Sequence, residues 1–152
     1  MEIIEQDILE IEQGIICHQV NCFGVARAGL AKQIANKYPK WESSYRKLCI
    51  DEYGHRRIDL LGGTHGCSIN DHLTIASLFG QYGYGQHEKQ TDYTAFEKAL
   101  RELKFYTGHR YTYDVYFPYK IGCGLAGGDW IIVSRLIELA FPSAVICKRK
   151  GD

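Results

Sequence analysis

The chain has 152 residues, and at about 150 residues per domain that is a single domain spanning 1–152. Eighteen Lys and Arg balance eighteen Asp and Glu, and zero net charge argues against a nucleic-acid binder held by a basic field and against a polybasic membrane-surface protein. A hydrophobic fraction of 45% with 12% aromatics excludes a disordered chain, and sixteen Gly against three Pro point to tight loops that approach a ligand closely.

Ile3 and Ile4, followed by Gln6-Asp7-Ile8, read as a short strand ending in a polar loop. Ile15 to Val20 is a buried β-rich run entered from Gly14 and closed by Asn21. Leu30, Ile34 and Tyr38 then take helical spacing, which Pro39 stops. Trp41 to Glu52 is a second helical stretch with Tyr45, Leu48 and Cys49 on one face. Thr64 to Leu78 holds two strands broken at Asn70-Asp71, a turn-forming pair. A Gly- and Tyr-rich loop follows, then a helix from 92 to about 106 with Tyr93, Phe96, Leu100 and Leu103 on one stripe. Val115 to Tyr119 reads as a strand, Trp130 to Phe141 as a helix and Ala144 to Lys148 as a last strand. Strands alternating with helices predict a three-layer α/β/α fold, its mixed and mostly parallel sheet covered on both faces.

The first fourteen residues carry four Glu and an Asp and no basic stretch, unlike a signal peptide, and no run approaches 18 apolar residues. Cys17, Cys22, Cys49, Cys67, Cys123 and Cys147 include no C-x-x-C pair, so no metal is expected. Reduced, mostly structural thiols in a cytoplasmic protein are the expectation.

Gly122-Cys123-Gly124-Leu125-Ala126-Gly127 satisfies G-x-G-x-x-G between a strand and a helix. A dinucleotide fold needs several more strands, yet only 25 residues follow Gly127. No Lys-Ser/Thr follows to make a P-loop. A cysteine phosphatase loop on Cys123 would need Arg where Asp129 stands. What survives is a glycine loop entering a helix, which either offers backbone N–H groups to a diphosphate or only permits a tight turn.

The stretch from Asn21 through Phe23, Gly24, Val25, Arg27 and Ala28 to Gly29 also lies between strand and helix, so both loops could face one ligand at the strand carboxyl ends. Asn21 suits a ribose hydroxyl or an ordered water, or else caps a turn. Arg27 could meet a phosphate or stay solvated. His18 is a buried imidazole or a general acid. Asp129 is an acid/base or the N-cap of the helix from Trp130.

Together HQVNCFGVARAGLAKQIANKYP (18–39) and PYKIGCGLAGGDW (118–130) resemble the macrodomain superfamily, which binds ADP-ribose, and most of all small stand-alone macrodomains acting as ADP-ribose 1''-phosphate phosphatases. The resemblance runs from Gln6-Asp7-Ile8 to the last helix. It implies that Asp7, beside the Ile8 backbone, takes the adenine amino group, and that Asn21 contacts the distal ribose. It further implies that Phe23 to Gly29 wrap ribose and phosphate, that Ile121 to Gly127 cradle the diphosphate, and that Gln81 and Tyr82 lie where the family closes over the distal ribose. Val25-Ala26-Arg27-Ala28 replaces the usual glycine run of the first loop. A glycohydrolase branch uses a lysine and an acid where this chain has Gln81 and Ala126, which counts against that chemistry.

The expected activity is hydrolysis of ADP-ribose 1''-phosphate to ADP-ribose and phosphate, with Asn21, His18 and Asp129 as candidates to position water and move protons. The alternatives are removal of ADP-ribose from modified macromolecules, or a non-catalytic sensor of ADP-ribose or a related nucleotide. The expected state is a monomer without cofactor, meeting nucleic acid only as an ADP-ribosylated substrate.

Overall fold

The computed structural model describes residues 1–108 and 114–152. Six strands form one sheet in the order β1 (Glu2–Glu5), β6 (Val145–Lys148), β5 (Val115–Pro118), β2 (Gly14–Gln19), β4 (Leu73–Leu78) and β3 (Thr64–Ser68). All neighbours pair in parallel except β3 with β4, the edge strand turned back by the predicted Asn70 turn. There Asn70 Oδ1 accepts from the His72 and Leu73 N–H groups at 2.8 and 2.9 Å.

Strand alternation sends β2 into two cores. Ile16 and Val20 face α1 (Gly29–Lys37) and α2 (Pro39–Leu48), with Trp41 and Tyr45 fully buried beneath them. Ile15 and Cys17 face α3 (Tyr93–Thr107) and α4 (Trp130–Ala140), packed on Phe96, Leu100, Phe117 and Ile137. The result is the expected three-layer arrangement.

Two boundaries differ from the sequence reading. Pro39 does more than stop a helix: it is the first residue of α2, where its fixed φ and missing N–H cost nothing. The second helix ends at Leu48 rather than Glu52, because Asp51 Oδ1 accepts from the Tyr53 and His55 N–H groups and turns the chain. All six cysteines are free, and five are buried. Among the described residues no helix is long and apolar enough to cross a membrane.

Candidate functional site

The carboxyl ends of β2, β4, β5 and β6 open into one cleft of about 690 Å³. Its walls are Val25 with the segment from Arg27 to Ala31, the segment after β4 (Gln81, Tyr84, Gly85, Gln86), the loop from Pro118 to Ala126, and Arg149 with Asp152. A recess of about 170 Å³ lined by Asp7, Ile8, Gln33 and Cys147 adjoins it, sharing Gly29, Leu30, Pro118, Tyr119, Arg149 and Asp152 with the cleft.

The cleft is rich in unclaimed backbone donors. Helices α3 and α4 are capped at their starts by Asp92 and Asp129, but α1 has Ala28 at that place and no side-chain cap. Its first turn, Gly29 to Ala31, lines the cleft. Opposite, Ile121, Cys123, Gly127 and Gly128 use their N–H groups in turns of the glycine loop. Those of Gly122, Gly124, Leu125 and Ala126 have no partner among the described residues. Free N–H groups at an uncapped helix start, facing more across a gap, attract an anion without requiring side-chain cations.

Asn21 is a brace for the first of these walls. Its Oδ1 accepts from the N–H groups of Phe23 and Val25 at 3.0 and 3.3 Å, and Nδ2 donates to the Val25 carbonyl at 2.9 Å; the Tyr45 hydroxyl donates to the Asn21 main-chain carbonyl at 2.6 Å and lies 2.9 Å from Oδ1. One amide hydrogen remains. Sequence alone cannot show Tyr45 here, because it arrives from α2.

His18 borders the cleft but is 1% exposed. Its Nε2 lies 2.8 Å from Ser77 Oγ, which also accepts from the Trp41 indole at 2.8 Å. The other ring nitrogen, Nδ1, is buried with no partner among the described residues. Burial first, and His65 second, lower the His18 pKa to about 3. At neutral pH it is an uncharged core imidazole packed edge-on to Trp41.

Asp129 lies outside the cleft lining. Its Oδ1 accepts from the Ile131 N–H at 2.8 Å as the cap of α4, and its own N–H donates to the Tyr93 hydroxyl at 2.9 Å. Burial, with the Asp129 charge second, pushes the Cys123 thiol up to about 11, so Cys123 is no thiolate nucleophile.

No family model matches the chain. It is 27% identical to an ADP-ribose 1''-phosphate phosphatase of Saccharomyces cerevisiae, over 82% of each chain. A protein of unknown function from Bacteroides thetaiotaomicron superposes with a TM-score of 0.81 at 25% identity, covering 97% of this chain and 96% of that one. The macrodomain of Mycobacterium tuberculosis DarG superposes with a TM-score of 0.76 at 20% identity, covering 97% and 95%. The chain has the macrodomain fold.

The fold brings most of the anticipated residues to the cleft: His18, Asn21, Val25, Arg27, Ala28, Gly29, Gln81 and every residue from Ile121 to Ala126. Asp7 and Ile8 line the adjoining recess. Phe23, Gly24, Tyr82, Gly127 and Asp129 do not line either. Phe23 instead packs edge-on against Tyr82 and Tyr84 with the Arg56 guanidinium 4.2 Å from its ring centre. Gly24 turns against Cys49 and Arg46, and Gly127 rests on Lys89.

Arg27 is not alone as a nearby cation. Lys120 and Arg149 also line the cleft, Arg149 paired with Asp152 at 3.3 Å. Lys120 takes a positive φ of 58°, strained for a residue with a Cβ, in the turn that aims the glycine loop.

Proposed function

We propose that this macrodomain binds ADP-ribose in the cleft and hydrolyses ADP-ribose 1''-phosphate to ADP-ribose and phosphate. The carrying observation is the pair of facing backbone-donor walls, the uncapped start of α1 and the free N–H groups of Gly122, Gly124, Leu125 and Ala126. A diphosphate lies between them. The recess at Asp7 takes the adenine, where Asp7 Oδ1 already accepts from the Leu9 N–H at 2.9 Å and Oδ2 remains for the amino group. The distal ribose then points to Gln81 and Tyr84. The name of the yeast relative supports the 1''-phosphate as the group removed.

Phosphoryl transfer to water depends on positioning and on neutralising oxygen charge more than on a general base. Arg27 and the α1 donors supply the charge complement, and the free Asn21 amide hydrogen orients water or the ribose. This division fits a cleft in which His18 stays neutral and Asp129 caps a helix.

The same two facts favour a second reading, a binder without turnover. Removal of ADP-ribose from macromolecules is disfavoured, since Gln81 and the buried Ala126 offer neither cation nor acid. Calorimetry with ADP-ribose, paired with phosphate release from ADP-ribose 1''-phosphate, separates them. Binding with release above a no-enzyme control is expected. Binding without release selects the sensor, and no heat overturns both.

A further inference from the structure

Gln19, which the ligand assignments above leave unused, ends β2 between the two loops that wall the far half of the cleft. Its Nε2 donates to Gln81 Oε1 at 2.8 Å and to Thr91 Oγ1 at 3.0 Å. Gln81 and Thr91 are the two feet of the segment after β4, bridged to each other across the chain. Thr91, 2% exposed, passes the connection on: its hydroxyl donates to the Gly122 carbonyl at 2.6 Å. Its N–H and that of Gln90 both donate to the Ala126 carbonyl, at 3.1 and 2.8 Å.

The other end of the Gln19 amide is fixed by shape. Oε1 is buried with no hydrogen-bond partner among the described residues, where a side chain at Gly80 or Gly122 would run into it. A Cβ at Gly122 would come within 2.9 Å of it. Glycine at both positions leaves the room that this oxygen occupies. One side chain therefore touches both feet of the β4 segment and the glycine loop.

We propose that Gln19 is a positioning residue: through Thr91 it sets the distance between the glycine loop and the segment after β4, so that a ligand spanning both finds them in register. The inference rests on the ADP-ribose reading above. AMP fills the recess and part of the donor wall but stops short of the β4 segment. Gln19 thus governs the extra affinity of ADP-ribose over AMP rather than affinity for nucleotides in general.

The test is calorimetry with ADP-ribose and AMP on the wild type, Gln19→Met, Thr91→Val and the double variant, each checked for cooperative melting. About a tenfold loss for ADP-ribose in each single variant is expected, the size of a lost hydrogen bond to a fixed partner. AMP affinity should stay within about twofold, and Thr91→Val should add nothing in the Gln19→Met background, since the two act in one chain. Equal losses for both ligands, multiplying losses in the double variant, or unchanged ADP-ribose binding overturns the proposal. If Gln19→Met fails to melt cooperatively, Thr91→Val alone decides, by the ADP-ribose to AMP ratio. Absence of ADP-ribose binding by the wild type is a different result: it removes the functional reading and the inference falls with it.

Discussion

The neutrality of His18 has a consequence measurable without any ligand. An unfolded histidine titrates near pH 6.5, whereas burial lowers the pKa of His18 in the fold to about 3. Between those values the unfolded chain binds a proton that the native state refuses, so stability falls as pH falls; above pH 6.5 both states are neutral and nothing is lost. At pH 5 the shortfall is one and a half pH units, and at about 1.4 kcal/mol per unit it comes to about 2 kcal/mol. Gln in place of His18 keeps a polar end able to reach Ser77 but does not titrate. Losing the edge contact with Trp41 lowers its stability at all pH values, so only the difference between pH values is informative. Urea unfolding at pH 7 and pH 5 should show the wild type losing about 2 kcal/mol more than His18→Gln. His65, whose pKa burial also lowers, and the carboxylates act in both proteins and cancel. Losses that agree within about 0.5 kcal/mol would mean that His18 takes up a proton in the native state. The case for a neutral core imidazole would then collapse, and His18 would return as a proton donor.

Other expectations follow from the walls of the cleft. Gly122→Ala forces a Cβ into a residue at φ 72° and against Gln19 Oε1; a cost of about 2 kcal/mol, or roughly 4–8 °C in calorimetric melting temperature, is expected. Gly124→Ala meets nothing within 4 Å and should melt within about 1 °C of the wild type; equal shifts for the two would refute the geometric account. Asn21→Ala removes the oxygen that accepts from Phe23 and Val25 and the amide that donates to the Val25 carbonyl, and should lose about 2–4 kcal/mol in denaturant unfolding. Unchanged unfolding would show that the loop does not depend on this brace.

Periodicity and punctuation made the elements legible before any coordinates. The Leu30-Ile34 stripe, the Asn70 turn and the Tyr93-to-Leu103 stripe each report a local choice, and all three stand where expected. The glycine loop was legible for the same reason, since its spacing lies in one segment. What escaped is whatever joins distant segments. Gln19 and Thr91 are 72 positions apart, and neither looks special in its own neighbourhood. Lys120 and Arg149 reach the cleft only because β5 and β6 are neighbours, a pairing no local pattern announces. Asp129 shows the converse: an acid beside a glycine loop suggests chemistry, while its geometry is that of an ordinary helix cap.

The donor walls also change how such a site responds to mutation. Most of their hydrogen-bonding atoms belong to the main chain of α1 and the glycine loop, and every residue type except proline carries them. Replacing Leu125 or Ala28 with another side chain leaves the N–H groups in place. A conventional scan of side chains would therefore score this region as tolerant, and sequences could drift widely there while the ligand stays the same. Only changes that redirect the backbone, at Gly122 or at the ties that hold it, reach the donors themselves.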